Sequence, residues 1–300
     1  MLAMQRQSWE QGVAAQAALD LGRDDLVVLL AEAAVARQAP DGRLGDVGEN
    51  GAVNGAACGE AVLAAFGRTG KAVFAEAARK QLAWLESGAE RAEDGTLFHL
   101  TDSREIWADT VYMVVPFLAV SGRVELAWQQ IEGHRRRLCH DGVYSASTVR
   151  SARWGAASGW VVAAIARTLR ITPDFPDRHR LAVHAREVLD AALAFRRPDG
   201  LFNDVLDDPA TFREANAAQM FAYAALTGAA DGWLPSVYVE TGRDLLAAAA
   251  RCVDGSGVVR DVAGSPGFDR PGTSTEAQAF AILAAVAQTP RDLRRFDPVG

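Results

Sequence analysis

The sequence predicts an all-α protein, and within that class an (α/α)6 toroid, a six-hairpin barrel of inner and outer helices. Three observations carry this. Long stretches place apolar residues at helical spacing and are rich in Ala, which has the best helix propensity and lets neighbouring helices approach closely. Runs of β-branched residues alternating with period two are nearly absent, so no sheet is expected beyond short ribbons. Asp-Gly turns recur at Asp41, Asp94, Asp141, Asp199 and Asp254, 47 to 58 residues apart, each followed by a short apolar patch. A period of that size marks a repeated supersecondary unit.

The elements follow in order. "WEQGVAAQAALDLG" sets Val13, Ala17 and Leu21 at steps of four and stops at Gly22, a C-cap. "AACGEAVLAAFGRTG" and "KAVFAEAARKQLAWLESG" are two further helices that meet at a "GRTGK" turn. "REIWADTVYMVVPFLAVSG", residues 104–122, reads as a buried helix with one acid, Asp109, and with Pro116 expected to kink it. "WGAASGWVVAAIARTL", "RLAVHAREVLDAALAFR", "NAAQMFAYAALTGAADGWL", "YVETGRDLLAAAARCV" and "STEAQAFAILAAVAQT" continue the pattern. Each unit is thus helix, turn, helix, short Asp-Gly ribbon, and about six such units fill 300 residues. A closed ring is preferred over an open solenoid, because neither end carries a recognisable polar cap. No Pro/Gly/Ser-rich linker interrupts the chain, so residues 1–300 read as one domain.

Composition narrows the function classes. A net charge of −7 argues against nucleic-acid or anionic-membrane partners, which need a basic face. "HRRRL" at 134–138 reads as a solvated helix face. Cys58, Cys139 and Cys252 are odd in number and far apart, so free thiols in a reducing compartment are expected. The N-terminus lacks a signal-peptide pattern, and no run of roughly 18 apolar residues occurs. The expectation is a cytoplasmic protein, monomer or homodimer, that meets a small molecule or oligosaccharide and neither membrane nor nucleic acid. Adjacent Cys139 and His140, even joined by Cys58 or Cys252, lack the further motif of a zinc-dependent lanthionine cyclase, and a zinc site needs three or four converging ligands. No phosphate-binding Gly loop, dinucleotide fingerprint or nucleophile elbow is present. No metal and no cofactor are expected.

Asp109 is the first candidate for chemistry. It lies between Trp107 and Tyr112, with Met113 one turn further on. Burying a charge costs several kcal/mol unless it is paired or neutralised. Asp109 is therefore an N-cap, a hydrogen-bonded core acid, or a general acid with a pKa raised by burial. Trp154 and Trp160, flanking Gly155 and Gly159, form a flat wall on which a sugar ring can stack, or ordinary aromatic packing. Glu214 and Asn216 open a helix after the turn at Asp207, Asp208 and Pro209; acids there serve the helix dipole or a pocket. Trp9 and Glu10 in "SWEQG" pose the same choice. The Gly/Pro loop "GSPGFDRPGTSTEAQAF" closes onto a helix with Ser274 or Thr275 as cap and Glu276 in the first turn, and loops of this kind often cover active sites.

Taken in order, "SWEQG", "IWADTVYMVVPFLA", "WGAASGW", "PDGLFNDVLDDPATF…EANAAQMFAYA" and "GTSTEAQAFAILAA" resemble the unsaturated uronyl hydrolases of glycoside hydrolase families 88 and 105, which are six-hairpin toroids. The likeness runs from "SWEQG" to about residue 287. It implies removal of a terminal Δ4,5-unsaturated uronic acid from an oligosaccharide by hydration of a vinyl ether. It also implies that Asp109, in the Trp-x-Asp motif, protonates C4 and then serves as base for the water that adds at C5. The family's second aspartate is Asn54 here, its uronate-binding Arg is Ala156, and "DGVYSAST" lacks the family's His. Arg150, Arg153 or Arg213 stand as replacements for the missing charge. Trp107, Trp154 and Trp160 are expected as an aromatic wall, with Asn54, Glu214, Tyr112, Met113, Trp9 and Glu10 as further substrate-binding residues. Two other readings keep the fold: a lyase, isomerase or cyclase using Asp109 for proton transfer without hydrolysis, and a catalytically silent sugar-binding module.

Overall fold

The computed structural model describes residues 1–289. Eleven α-helices occur among them: α1 Ser8–Asp20, α2 Asp24–Ala36, α3 Gly59–Thr69, α4 Ala72–Ala83, α5 Thr110–Val120, α6 Val124–Leu138, α7 Gly155–Ile171, α8 Arg178–Leu193, α9 Asn216–Ala230, α10 Tyr238–Ala250 and α11 Thr275–Gln288. A 3-10 turn, Asn54–Cys58, leads into α3. The odd-numbered helices form an inner ring in which each packs on the next, and α11 packs back on α1. The outer helices α2, α4, α6, α8 and α10 each lean on the inner helix before them. This is the expected α/α toroid, with five hairpins and a further inner helix, α11, among the described residues.

The inner helices α5, α7 and α9 are buried nearly all round, which explains their apolar, Ala-rich composition, while outer helices keep one wet face. Gly12 of α1 lets the backbones meet closely, since a Cβ there would sit 2.4 Å from the backbone of Ala57. The expected C-cap at Gly22 adopts φ 73°. Pro116 lies within α5, which runs on to Val120.

Four of the five Asp-Gly turns put their glycine in the left-handed region: Gly42, Gly95, Gly142 and Gly200, with φ between 82° and 104°. The fifth uses Gly257 instead, because Ser256 lengthens that turn and Asp254 Oδ1 accepts from the N–H groups of Ser256 and Val258. The strands are two-residue ribbons. β1 Cys139–His140 pairs with β2 Val143–Tyr144 around an Asp-Gly turn, whereas β3 Phe202–Asn203 with β4 Arg213–Glu214, and β5 Val262–Ala263 with β6 Pro271–Gly272, bracket longer loops.

The "HRRRL" stretch differs from a plain solvated face. His134 and Leu138, four apart on α6, turn inward and are buried, while Arg136 and Arg137 both reach Asp94 at 2.7 Å. Burial pushes the His134 imidazole down to about 4.

Because every inner helix runs the same way, their N-termini open at one mouth. The loops that precede them are stitched into a rim by backbone bonds. Ala52 N–H donates to His99 O (2.8 Å), Ala108 to Ala146 (3.0 Å), Gly155 to Asp204 (2.8 Å) and Ala215 to Asp261 (2.8 Å). At the opposite, closed end Arg167 of α7 is 1% exposed; it grips Glu60 of α3 at 2.6 and 2.8 Å and reaches Asp20 of α1 at 3.1 Å.

Candidate functional site

Asp109 is the residue on which α5 begins. Its carbonyl accepts from Tyr112 and Met113, but its side chain makes no capping bond. Of the sequence alternatives, the N-cap position is therefore right and the capping role is not used. Oδ1 is buried without a hydrogen-bond partner among the described residues, while 19% of the side chain stays accessible. The acid is thus desolvated and still reachable. Desolvation raises its pKa, and the nearby His99 opposes this in part.

His99 enters from the ribbon after the Asp94 turn. Its ring stacks on Trp107 with centroids 4.4 Å apart and planes 6° from parallel. Nδ1 lies 2.8 Å from Thr110 Oγ1 and 3.5 Å from Asp109 Oδ1. Burial lowers the His99 pKa against the pull of Asp109, Glu49 and Glu105. Trp107 is fixed in turn by its indole N–H, which donates to Glu105 Oε2 at 2.8 Å.

Across the rim, Asn54 Nδ2 donates to Glu49 Oε2 at 2.7 Å, and Ser8 N–H donates to Glu49 Oε1 at 2.9 Å. Asn54 Oδ1 is buried with no partner among the described residues. Beneath lies an aromatic floor. Trp160 meets Trp9 edge-on at 6.2 Å, Tyr112 at 4.9 Å and Phe280 at 5.3 Å. Phe268, from the Gly/Pro loop, leans on Trp9 at 6.0 Å.

The far wall is acidic. Trp154 Nε1 donates to Asp204 Oδ1 at 2.9 Å, and burial raises the Asp204 pKa. Glu214, 1% exposed, accepts from Ala217 N–H at 2.6 Å and Ala263 N–H at 3.3 Å. Burial lifts it to about 7, with Asp204 adding repulsion. Glu276 is lifted to about 8, again by burial first and then by Glu10 and Glu214, and its Oε2 has no partner among the described residues. Glu10, also 1% exposed, accepts from the N–H groups of Arg6 and Gln7 at 2.5 and 3.0 Å. The expected cap of α11 is Ser274, whose hydroxyl accepts from Ala277 N–H at 3.3 Å.

The structure therefore brings Asp109, Trp107, Asn54, Trp9, Trp154 and Trp160 to the mouth or its floor. Glu10 and Glu214 sit there too, but their oxygens are engaged by backbone donors at helix starts. Met113 is 2% exposed and sealed in the core, and Tyr112 offers its ring to Trp160 rather than a polar group to the mouth. Arg153 is taken by Asp141 and Asp207, and Arg213 by Asp261; Arg150 is exposed and makes no ion pair among the described residues. Asp207 and Asp208 form the expected turn, with Asp208 Oδ1 accepting from Ala210 N–H.

Three polar residues at the rim escaped the sequence reading: His99, Glu49 and Asp204. Each lies in a loop shortly before an inner helix, so the Asp-Gly period was the signal that could have found them. No group of three or more His, Cys, Asp or Glu side chains among the described residues is placed to hold a metal ion. No helix among them is long and apolar enough to cross a membrane. Two grooves outside the ring, one by the Asp199 turn and α10, the other between α6 and α8, contain none of these residues.

Comparison with known proteins gives a consistent picture. The sequence model described as Glycosyl Hydrolase Family 88 matches residues 2–286. A curated relative, the unsaturated rhamnogalacturonyl hydrolase YesR of Bacillus subtilis (strain 168), is 28% identical over 212 residues, covering 63% of this chain and 60% of that protein. Protein Atu3128 of Agrobacterium fabrum is 34% identical over 139 residues, 41% of this chain and 60% of its own. The chain thus spans about 60% of the length of these curated relatives. Among solved structures, a possible member of family GH105 from Klebsiella pneumoniae superposes with a TM-score of 0.82 at 21% identity, covering 93% of this chain and 81% of that one. That likeness establishes the shared fold.

Proposed function

This chain belongs to glycosyl hydrolase family 88, and on that footing we propose that it releases a terminal Δ4,5-unsaturated uronyl or related sugar by acid-catalysed hydration of the vinyl ether, with Asp109 as the acid. The observation that carries the reading is Asp109 itself: a carboxyl whose pKa burial raises, free of capping duty, and open on one side. The name of the Bacillus subtilis relative supports the substrate class.

The protonated Asp109 gives its proton to C4 of the double bond. The C4–C5 π electrons form the new C–H bond, and positive charge develops at C5 and the ring oxygen. Water adds at C5 and loses a proton to the Asp109 carboxylate, which restores the acid. The hemiketal then opens by breaking the bond from C5 to the ring oxygen, which leaves C1 as a hemiacetal. Its collapse to the aldehyde breaks the glycosidic bond and releases the remaining saccharide as an alcohol. His99, 3.5 Å from Oδ1, stands where it can steady the transient carboxylate. Trp107 and Trp154, each half-buried and pinned by its indole N–H, offer flat faces to the sugar ring. No cofactor enters this scheme.

The engagement of Arg153 and Arg213 by acids favours a second reading, in which the ligand is an uncharged sugar and Asp109 transfers a proton without hydrolysis. One experiment separates the two. The protein and its Asp109→Asn variant are incubated with a panel of unsaturated uronyl disaccharides while the ultraviolet absorbance of the conjugated double bond is followed. Loss of absorbance that requires Asp109 supports hydration; a flat trace across the panel retires uronates. We also propose that residues 1–300 act as one domain, in the cytoplasm.

A further inference from the structure

Glu49 is held in place by its loop. Asp46 Oδ1 accepts from the N–H groups of Gly48 (2.8 Å) and Glu49 (3.1 Å). Arg43 Nη1 donates to the carbonyls of Glu49 (3.1 Å) and Gly51 (3.3 Å), and its guanidinium pairs with Asp41 and Asp46. The loop thus pins the backbone of Glu49 on both sides, as a preorganised site requires. Its carboxylate takes one bond from Ser8 N–H, at the positive end of α1, and one from Asn54 Nδ2.

A carboxylate only accepts, so this contact fixes which way the Asn54 amide points. Nδ2 faces Glu49 and Oδ1 faces the opposite way, where it is buried and unpartnered among the described residues. A buried carbonyl oxygen without a donor is costly and uncommon. Here the missing donor is best supplied from the mouth.

We propose that Glu49 is a positioning residue: it locks the Asn54 amide so that Oδ1 accepts a hydrogen from the reacting water or a sugar hydroxyl. The pair then places a carboxylate and an amide together where the family resemblance implies one aspartate. What Asn54 contacts rests on the hydrolase reading above; the lock does not.

The test exchanges donor and acceptor. Glu49→Gln turns one accepting oxygen into a donor that opposes Ser8 N–H or Asn54 Nδ2. Asn54→Asp sets two carboxylates face to face. The double variant Glu49→Gln/Asn54→Asp restores both bonds, with donor and acceptor exchanged between positions 49 and 54 and the bond from Ser8 N–H kept as it was. Each single variant is expected to lose about ten-fold or more in kcat/KM, the cost of one mispaired buried polar group, and the double to recover to within about three-fold of wild type. An activity-free readout runs alongside: the His99 imidazole titration followed by NMR. The titratable groups that interact with that ring are Asp109, Glu49 and Glu105, with His134 on α6 behind it. Glu49→Gln should lower the His99 pKa, and the double variant should restore it.

Wild-type inactivity across the substrate panel sinks the hydrolase reading, and the His99 titration then still decides on the lock. Lower thermal stability in Glu49→Gln with unchanged kcat/KM and an unchanged His99 titration overturns the proposal. So does a double variant no better than the worse single one.

Discussion

At the closed end of the ring, Arg167 meets Glu60 through two hydrogen bonds and Asp20 through a third, and Arg170 reaches Asp231 at 3.3 Å. At the mouth, Asp109, Asn54 and Glu276 each keep a buried oxygen with no partner among the described residues. Both ends bury acids: at the closed end Glu60 and Asp20 share the Arg167 guanidinium, whereas at the mouth Glu10 meets Arg6 at 3.4 Å and Glu214 and Glu276 have no ion pair among the described residues. Open polar atoms are not confined to the mouth, since Asp20 Oδ2 and Gln16 Oε1 at the closed end also lack a hydrogen-bond partner among the described residues; the difference lies in the cations. Buried charge that is paired ties three inner helices together, whereas buried acceptors left open hold protons or accept from what binds.

The comparison can be broken most sharply at Asp109. Asp109→Asn should lower kcat/KM by about 100- to 10,000-fold, the range of general acid–base catalysis, while the unfolding midpoint stays within a degree or two of wild type or rises. A large stability loss with turnover retained would make Asp109 a structural acid like those at the closed end. There, Arg167→Leu should behave in the opposite way. It strands Glu60 and Asp20 and should cost about 3–5 kcal/mol of stability in denaturant unfolding; a cost below about 1 kcal/mol would show that the ion triad is dispensable.

Protons sharpen the contrast. Glu214 at about 7 and Glu276 at about 8 sit above the ordinary value of 4.5 that the unfolded chain restores. Over that interval the native state keeps protons that the unfolded chain has released. Stability should therefore fall as pH rises, and most cleanly from about 6.5 to 8, above the range in which buried His134 and His184 titrate. The ceiling is roughly 1.4 kcal/mol per pH unit and per group. Glu276→Gln should flatten the slope in a pH series of denaturant titrations; a stability that climbs over the same window would contradict the protonated wall. Turnover should likewise decline as pH rises through the elevated pKa of Asp109. The smallest effect is expected at Trp154→Phe, which removes the indole bond to Asp204 and narrows the aromatic face: about 1 kcal/mol in stability, with a rise in KM of a few-fold and kcat nearly unchanged.

The toroid was legible because its signals are local and repeated. Helical spacing, Ala content and the Asp-Gly period each survive without tertiary information, and Asp109 stood out as one acid in an apolar run. The closed end was not legible. Arg167 and Glu60 are 107 residues apart and look like ordinary helix-face charges until the ring brings them together. Glu49 was missed for a related reason. It sits in a polar loop, "GDVGENG", where an acid is unremarked, and only the contacts with Ser8 and Asn54 give it a role. Glu10 and Glu214 show the converse: acids at helix starts serve backbone donors first, even when the start lies on the rim of a mouth.

Closure of α11 on α1 carries a consequence for how the protein comes into being. Thr275 Oγ1 and Ser265 Oγ both approach Glu10 Oε1 at 3.4 Å, spanning 265 and 255 residues of chain. Contacts of such separation must await the loop closure that precedes them, and topologies built on them assemble slowly. During synthesis the first hairpin therefore emerges long before its neighbour on one side exists, with an apolar flank bare to the cell's chaperones. The acidic wall and the aromatic floor become a single surface only when the last inner helix docks, so a nascent or truncated chain carries Asp109 without the chamber that surrounds it.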